Sequence, residues 1–352
     1  MVDTMKKQVT IAFLYNVRHV YPDPDNPESQ LETDFDSPET IEKMIIHFQN
    51  CGYKIIPIEA NKEAYIELYK QKEHIDLVFN FSEGIYGHDR EAQLPAMLEM
   101  LQIPYTGSKP LTQALVLNKA KAKDIFKANH IPTLPYQVFA TPQDSLAAYL
   151  SFPLIVKPLS EGSSAGITNK SVVYSEKELR EQLHSIYDLF HKPILVETFV
   201  DGREFSVGML GDPPIILPFI EPNHHQLPKE YEKIDSLEVK WILEEQGSID
   251  NYLICPAHVD DNLRKQIETM CFVIWNVFEI NDFCRIDFRC DSLDNPFVLE
   301  INSPAGLIPP EISTTSYFPL AARQAGMDYE TVLKTIVQSA LRRYGRLNTL
   351  DA

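Results

Sequence analysis

The stretch LIVKPLSEGSSAG (Leu154–Gly166) says most about the architecture of this chain, because a short apolar strand ends in a lysine and runs directly into a loop of glycines and serines. Small residues let backbone N–H groups approach phosphate oxygens, and a cation at the strand end meets the negative charge. The spacing differs from the G-x4-G-K-[ST] phosphate loop, so that class of nucleotide-binding protein is not supported. Taken alone, the stretch is weak evidence, and an ordinary hairpin is the favoured interpretation.

Two later strands carry charged and amide side chains among apolar ones: one reads CRIDF and the other reads FVLEINS. The alternation of side chains along a strand places Arg285 and Asp287 on one face, and likewise Glu300 and Asn302. If the two strands pair, three oxygen ligands and one guanidinium converge. Such oxygen donors suit Mg²⁺ shared with phosphates, whereas inward charges that bind nothing are costly. The alternative is a solvated sheet face with surface ion pairs.

The composition limits the classes of protein to which this chain can belong. The chain has 352 residues, 44% of them hydrophobic, and a formal charge of −18 from 32 Lys+Arg against 50 Asp+Glu. At roughly 100–200 residues per domain, this length predicts two or three domains with a large core. A uniformly acidic surface repels phosphate backbones, which argues against a nucleic-acid or anionic-membrane partner.

The sequence also predicts a cytoplasmic protein. No stretch approaches the roughly 18–20 apolar residues that a membrane span needs. The apolar part of the N-terminus, Val9–Tyr15, alternates with polar residues and is expected to form a first β-strand instead of a signal peptide. The five cysteines are scattered and lack CxxC spacing, which favours reduced thiols over disulfides or a zinc site.

Strand and helix patterns predict an open parallel sheet with helices on both faces, followed by α+β units. In the first third, we expect strands at Val9–Leu14, Tyr53–Ile58 and Leu77–Asn80, and helices at Ser37–Cys51, Glu63–Lys70 and Glu91–Leu101. Beyond it, we expect strands at Pro135–Phe139, Leu154–Lys157, Ser171–Tyr174, Ile194–Glu197, Glu204–Leu210, Ile215–Ile220, Phe283–Arg289 and Pro296–Ile301. The further helices are expected at Leu117–Ala128, after Pro142, and at Ser175–Leu189, Asp260–Phe278 and Tyr329–Tyr344.

Taken together, these motifs resemble those of ATP-grasp enzymes, and most of all those of the D-alanine–D-alanine ligases. Four stretches are similar to family motifs in the expected order: IPYTGS (Ile103–Ser108), IVKPLSEGSSAG (Ile155–Gly166), EINSP (Glu300–Pro304) and PLAARQAGM (Pro319–Met327). The resemblance covers nearly the whole chain and implies the α/β and α+β ATP-grasp fold. It implies three domains: an N-terminal substrate-binding domain with an open parallel sheet (1–110), a central lobe (111–202) and a C-terminal lobe that carries a metal site (203–352). The central and C-terminal lobes would enclose the nucleotide.

The resemblance implies ATP and Mg²⁺ (or Mn²⁺), with two ions, as cofactors. The resemblance also implies the residues that contact ATP: they bind the phosphates, close over them, recognise the adenine edge and hold the ribose. These residues are Lys119, Lys157, Glu161, Gly162, Ser163, Ser164, Glu197, Thr198, Phe199, Val200 and Glu204. The implied metal ligands are Asp287, Glu300 and Asn302.

The implied reaction joins an amino-acid carboxylate to an amine through an acylphosphate. Arg285 and the Gly306 backbone would stabilise the tetrahedral oxyanion. Ser163 matches a serine near the first substrate, and Ser316 matches the serine that binds the carboxylate of the second. The polar segment 222–251, which contains Lys240 and Trp241, would help to exclude water from the acylphosphate.

The departures from the family pattern concern the amino-acid substrates. The long acidic segment Asn16–Asp34 replaces a short turn that carries the ammonium-binding glutamate, and Asp34 or Asp36 is the candidate for that role. Glu83 stands where a histidine is expected, and Trp241 stands where the family has a tyrosine. An added acid favours a more cationic or otherwise different amine, so the substrates need not be two D-alanines. The plainer alternatives are that Glu83 faces solvent and that Trp241 only packs.

Two other functions stay open at this point. An ATP-grasp phosphotransferase would stop at phosphoryl transfer to an acceptor, and a degenerate nucleotide-binding protein would show no turnover. The complete set of lysines and acids argues against the degenerate protein, because a silent site has no need of buried charges. The resemblance further implies small amino-acid substrates as partners and a homodimer.

Overall fold

The computed structural model describes residues 8–21, 23, 27–240 and 252–346, and three main sheets organise them. The first is a parallel sheet with strand order β2-β1-β3. Its elements are β1 (Thr10–Tyr15), α1 (Pro38–Asn50), β2 (Lys54–Glu59), α2 (Ala64–Gln71), β3 (Leu77–Phe81) and α3 (Gln93–Leu101).

The predicted helices on both faces of this sheet are confirmed. Ile11 and Phe13 pack against α1, whereas Ala12 and Leu14 pack against α2 and α3. A strand that is buried on both faces reads as a continuous apolar run, as β1 does. Ser37 caps α1, because its side chain accepts a hydrogen bond from the Thr40 N–H.

The second sheet is antiparallel, with strand order β4-β7-β5-β6, and α6 packs on it. The elements of this region are α4 (Pro110–Leu117), α5 (Lys119–Ala128), β4 (Tyr136–Phe139), β5 (Leu154–Pro158), β6 (Val172–Val173), α6 (Glu176–Phe190) and β7 (Ile194–Thr198). Lys157 is near the end of β5, so the loop after it begins where the sequence predicts.

The third sheet is also antiparallel, with strand order β13-β12-β8-β9. The remaining elements are β8 (Glu204–Leu210), β9 (Ile215–Ile216), β10 (Glu221–Pro222), β11 (Leu253–Ile254), α7 (Asp261–Val277), β12 (Phe283–Cys290), β13 (Pro296–Asn302), α8 (Tyr317–Gln324) and α9 (Tyr329–Arg343). Each sheet falls within one of the three predicted domains, whose exact boundaries stay a prediction.

Two predicted elements are wrong or shortened. No helix follows Pro142, because the Asp144 carboxylate accepts hydrogen bonds from the N–H groups of Ala140 and Thr141 and holds this stretch in turns. The strand predicted over Ile215–Ile220 is reduced to β9, since a proline at position 218 interrupts pairing and only a single bridge joins Ile220 to Ser206. The sequence analysis also missed α8.

All five cysteines are free thiols. Among the described residues, no helix combines the length and the apolar character that a bilayer span requires.

Candidate active site

A cavity of about 950 Å³ opens between the sheets. Its walls come from residues 33–40 after the first strand, from the loop that follows β5, and from the paired strands β12 and β13. A volume of this size suits a nucleotide-sized ligand.

The register of β12 and β13 brings the candidate metal ligands together. Asp287 pairs directly with Glu300, and Arg285 pairs with Asn302. The Asn302 amide donates to the Asp287 carboxylate at 2.9 Å, and the Ser206 hydroxyl donates to it from β8 at 2.6 Å. The convergence predicted for two paired strands is therefore what the structure shows.

This set fits a hard divalent cation. Asp287, Glu300 and Asn302 supply two carboxylates and one amide oxygen, and Mg²⁺ commonly takes one or two protein carboxylates and completes its shell with waters and substrate phosphates. Among the described residues, no group of three or more His, Cys, Asp or Glu side chains forms a closed metal cage. The site therefore suits a metal shared with a phosphate better than a structural ion.

Arg285 reaches across this carboxylate group. Its Nε and Nη2 donate to Asp287 at 2.9 and 2.8 Å, and its guanidinium lies 5.5 Å from the centroid of the Tyr317 ring. Burial opposes the charge of Arg285, but Asp287 outweighs burial and raises the pKa of the guanidinium. The Tyr317 hydroxyl donates to Asp235 at 2.6 Å, which fixes the ring beneath the cation. Arg285 is thus a permanent, oriented cation.

Lys119, the first residue of α5, faces Glu300. Its ammonium lies 3.3 Å from the Glu300 carboxylate and donates to the Glu161 carbonyl at 2.6 Å. Burial would raise the pKa of Glu300, but Lys119 and Lys157 reverse this and hold it at about 2. Glu300 is therefore ionised at any physiological pH.

The sequence analysis missed a third lysine, Lys123. Its side chain is fully buried, and its ammonium lies 2.7 Å from the Glu197 carboxylate, which also pairs with Lys157. Burial lowers the pKa of Lys123. Burial alone would raise the pKa of Glu197, but the charges of Lys123 and Lys157 outweigh it and lower that pKa. Lys123 follows Lys119 by one helical turn, and this spacing was the signal that could have found it.

The loop Ser160–Gly166, here called the glycine–serine loop, is held by the long N-terminal segment. The Gly162 N–H donates to Asp34 at 3.3 Å, and a Cβ at Gly162 would come within 2.6 Å of that carboxylate. Ser163 and Ser164 both adopt positive φ; Ser163 is exposed, and Ser164 donates to the Asp235 carbonyl at 2.7 Å.

Arg90 joins the same two segments. Its Nη2 lies 2.6 Å from Asp34, and its Nη1 lies 3.1 Å from Glu161. A second ion pair at 2.6 Å links Glu161 to Lys192. Glu161, which the sequence predicts to contact the nucleotide, thus forms ion pairs with both Arg90 and Lys192. Its backbone carbonyl, and not its carboxylate, accepts the hydrogen bond from Lys119.

Three further carboxylates line the cavity: Asp36, Glu83 and Glu91, here called the acidic end. Within the described part of the chain, no hydrogen bond or ion pair reaches these carboxylates. Burial raises the pKa of Asp36 to about 7 and that of Glu91 to about 7. Burial and then the charge of Glu91 raise the pKa of Glu83 well above its ordinary value. Glu83 thus faces the cavity and not open solvent.

The other predicted residues divide into three groups. The cavity wall includes Thr198, Phe199, Val200, Glu204, Lys240 and Gly306, and the space beside Gly306 is open. Ser316 is not part of that wall; it precedes α8, while Ser313, Thr315 and Tyr317 face the cavity. Trp241 lies outside the described residues.

Two antiparallel sheets that enclose a cavity, with Lys157 on one and the candidate metal ligands on the other, are typical of the ATP-grasp class of enzyme. The computed fold is similar to that of the D-alanine–D-alanine ligase from Bacillus anthracis complexed with ATP, with a TM-score of 0.70, 22% identity, and coverage of 96% of this chain and 99% of that one.

Sequence comparison narrows the class to a family. Residues 125–338 match the family described as D-ala D-ala ligase C-terminus. The chain is 31% identical to a D-alanine–D-alanine ligase of Pelotomaculum thermopropionicum over 84% of this chain and 88% of that protein. It is 30% identical to an uncharacterised protein of Sinorhizobium fredii over 92% of both chains. The chain belongs to the D-alanine–D-alanine ligase family and is an ATP-dependent ligase.

Proposed function

We propose that this protein joins an amino-acid carboxylate to an amine, using ATP and Mg²⁺, through an acylphosphate. The observation that supports the proposal most is the pairing of Asp287 with Glu300 on adjacent strands, opposite Lys119 at 3.3 Å. Oxygen ligands and a phosphate-binding lysine at this separation suit a triphosphate tail. Asp287, Glu300 and Asn302 would hold Mg²⁺, which would neutralise the charge of the transferring phosphoryl group.

The first step activates the carboxylate. A carboxylate oxygen of the substrate attacks the γ-phosphorus of ATP, the bond to the β-phosphate oxygen breaks, and ADP leaves. Lys119 and Lys157 lie on the cavity wall and would bind the phosphate oxygens during this transfer. The acylphosphate that forms has phosphate as its leaving group, which is far better than oxide.

The second step forms the amide. The amine attacks the acyl carbon, the carbonyl oxygen becomes an oxyanion, and phosphate leaves as the amine loses a proton. Arg285, oriented by Asp287 and Tyr317, would stabilise that oxyanion, with the Gly306 N–H as a second donor.

Water must be excluded while the acylphosphate exists. The contacts of Asp34 with Gly162, and of Asp235 with Ser164, hold the glycine–serine loop against two other parts of the cavity wall. Lys240 faces the cavity from the segment beyond Asp235, with its ammonium 6.0 Å from the Tyr317 ring centroid. These residues would serve as the cover of the site.

The acidic end supports an amino-acid substrate other than D-alanine. Asp36, Glu83 and Glu91 form no ion pair within the described residues, and burial raises their pKa values although Arg18 or Arg90 acts on each of them. A substrate that carries an extra positive group would favour their ionised forms. An amino acid with a basic side chain fits this requirement better than one with a methyl group.

Incubation with ATP, Mg²⁺ and separate pools of D- and L-amino acids tests the proposal. We expect phosphate release only with the pools that contain the substrates, accompanied by ADP and an amide product. The Asp287→Asn variant serves as the inactive control. ADP with a phosphorylated acceptor would indicate the phosphotransferase instead, and no turnover with any pool would contradict both.

The cytoplasmic location and the homodimer stay predictions. Light scattering on the purified protein tests the dimer.

A further inference from the structure

Arg289 is a buried side chain with one guanidinium nitrogen that has no hydrogen-bond acceptor among the described residues. The residue is 3% exposed and lies on the cavity wall. Its Nε donates to the Val200 carbonyl at 3.0 Å, and its Nη1 donates to Glu204 at 2.7 Å, but its Nη2 has no partner. Arg289 lies two positions after Asp287 on β12, so both side chains project from the same face.

A buried N–H without an acceptor is unfavourable, and nearly all such groups in folded proteins are satisfied. The guanidinium is planar, and two of its nitrogens are already fixed by Val200 and Glu204, so the direction of the third is fixed as well. The Phe199 ring lies 5.1 Å from the guanidinium carbon and limits its movement further. The missing acceptor is therefore expected from a ligand in the cavity.

The groups around Nη2 indicate what chemical group of the ligand would bind there. Glu204 offers an acceptor next to the donor, and a hydroxyl group satisfies both, because it can accept from Nη2 and donate to the carboxylate. Burial and then the charge of Asp235 raise the pKa of Glu204, so the carboxylates here already repel each other. A further anionic group would add to this repulsion, which favours a neutral polyol over a phosphate.

We propose that Arg289 is a specificity-determining residue of the nucleotide site, whose Nη2 donates to a ribose hydroxyl of ATP while Glu204 accepts from the same diol. The assignment rests on the proposed binding of ATP in this cavity. It adds a donor to the set derived from the sequence, in which Glu204 alone holds the ribose.

Calorimetric titration tests the proposal without requiring turnover. ATP, 2′-deoxyATP and 3′-deoxyATP are titrated with Mg²⁺, and without amino acids, into the wild type and the Arg289→Met variant. We expect the wild type to bind ATP about tenfold more tightly than at least one deoxy analogue, which is the size of one hydrogen bond to a charged group. In the variant, ATP binding weakens about tenfold and the ratio between ATP and that analogue falls to near one.

Two further variants keep the test decisive. Arg203→Met removes a matched arginine that pairs with Glu221 at 2.7 Å outside the cavity, and it should leave both affinities unchanged. Arg289→Lys keeps a cation for Glu204 but lacks the additional N–H groups of the guanidinium, so it should also lose the discrimination between ATP and the deoxy analogue. This variant keeps the test valid if Arg289→Met does not fold.

The outcomes separate this inference from the proposed function. Folded Arg289 variants that keep the full discrimination, or a wild type that shows none, overturn the ribose assignment while leaving ATP binding intact. Variants that change only the preference for ATP over GTP would place the guanidinium against the base and overturn it too. A wild type that binds no nucleotide contradicts the proposed function itself.

Discussion

At the nucleotide end of the cavity each carboxylate assigned to ATP or metal binding forms an ion pair, whereas the carboxylates of the acidic end form none within the described residues. Glu300 faces Lys119 at 3.3 Å, and Glu204 faces Arg289 at 2.7 Å. Asp36 and Glu83 line the same cavity, yet no cation of the described chain pairs with either.

The carboxylates at the two ends differ in when they acquire a partner of opposite charge. The paired groups are oriented before ATP arrives, which is the condition for electrostatic stabilisation of a transition state. Burial raises the pKa values of the unpaired groups, to about 7 for Asp36, and a positive charge brought close to them would lower these values. The comparison therefore predicts that changes at the nucleotide end abolish the chemistry, while changes at the acidic end alter substrate choice.

The largest effect is expected from Glu300→Gln. Loss of this carboxylate removes a metal ligand and the partner of Lys119, and we expect turnover to fall about a thousandfold with the fold intact. Steady-state phosphate release and circular dichroism measure the two quantities. Glu279→Gln, at a side chain that is 69% exposed, is the matched control. Near-normal turnover of Glu300→Gln would remove the metal assignment.

Lys123→Met should act on stability. It leaves the buried Glu197 with one cation in place of two, and we expect the free energy of unfolding to fall by about 3 kcal/mol. Urea unfolding measures this value. Lys121→Met, on the same helix with a side chain that is 65% exposed, should change stability by less than about 0.5 kcal/mol. Equal effects of the two substitutions would show that Lys123 is not part of a buried charge network.

Glu83→Gln should shift substrate preference. The variant loses the attraction for an extra positive charge, so kcat/KM for a basic amino acid relative to a neutral one should fall about tenfold. Competition assays with pairs of amino acids measure the ratio. Glu73→Gln, whose side chain is 83% exposed, should leave the ratio unchanged. An unchanged ratio in Glu83→Gln would argue that this carboxylate does not contact the substrate.

A smaller effect is expected in the pH dependence of stability. The pKa of Glu91 is raised by burial to about 7 from an ordinary value of 4.5, so the folded protein holds a proton that the unfolded chain releases. Its contribution to stability is full below about pH 4.5 and is lost as the pH rises through 7.

The melting temperature of the substrate-free wild type should therefore fall by about 2 °C or more relative to Glu91→Gln over that interval. Differential scanning calorimetry of both proteins at matched pH gives this difference. A difference that does not change with pH would show that Glu91 already has a partner.

Much of the nucleotide end could be predicted because its chemistry is local in the sequence. Strand alternation alone places Arg285 with Asp287 and Glu300 with Asn302, and only the pairing of the two strands had to be assumed. The parallel sheet was equally accessible, because β1 is a continuous apolar run between turn signals.

The rest depends on contacts between distant segments, which no local pattern encodes. The contact of Asp34 with Gly162 joins positions 128 residues apart, and the ion pair of Arg289 with Glu204 spans 85. Ser316, which was assigned by a motif match, precedes α8 next to Thr315 and Tyr317 on the cavity wall, and its contact with a substrate stays a prediction. The prediction of a helix after Pro142 is wrong because side-chain hydrogen bonds to the backbone compete with helix formation there.

Transfer of ¹⁸O from the substrate carboxylate to phosphate tests the central claim most directly. Once the amino-acid pools identify the substrates, turnover with a carboxylate labelled in both oxygens should yield inorganic phosphate that carries one labelled oxygen, because the oxygen that attacks ATP leaves with the phosphate. Unlabelled phosphate would mean that the carboxylate never attacked the γ-phosphorus, and it would contradict ligation through an acylphosphate.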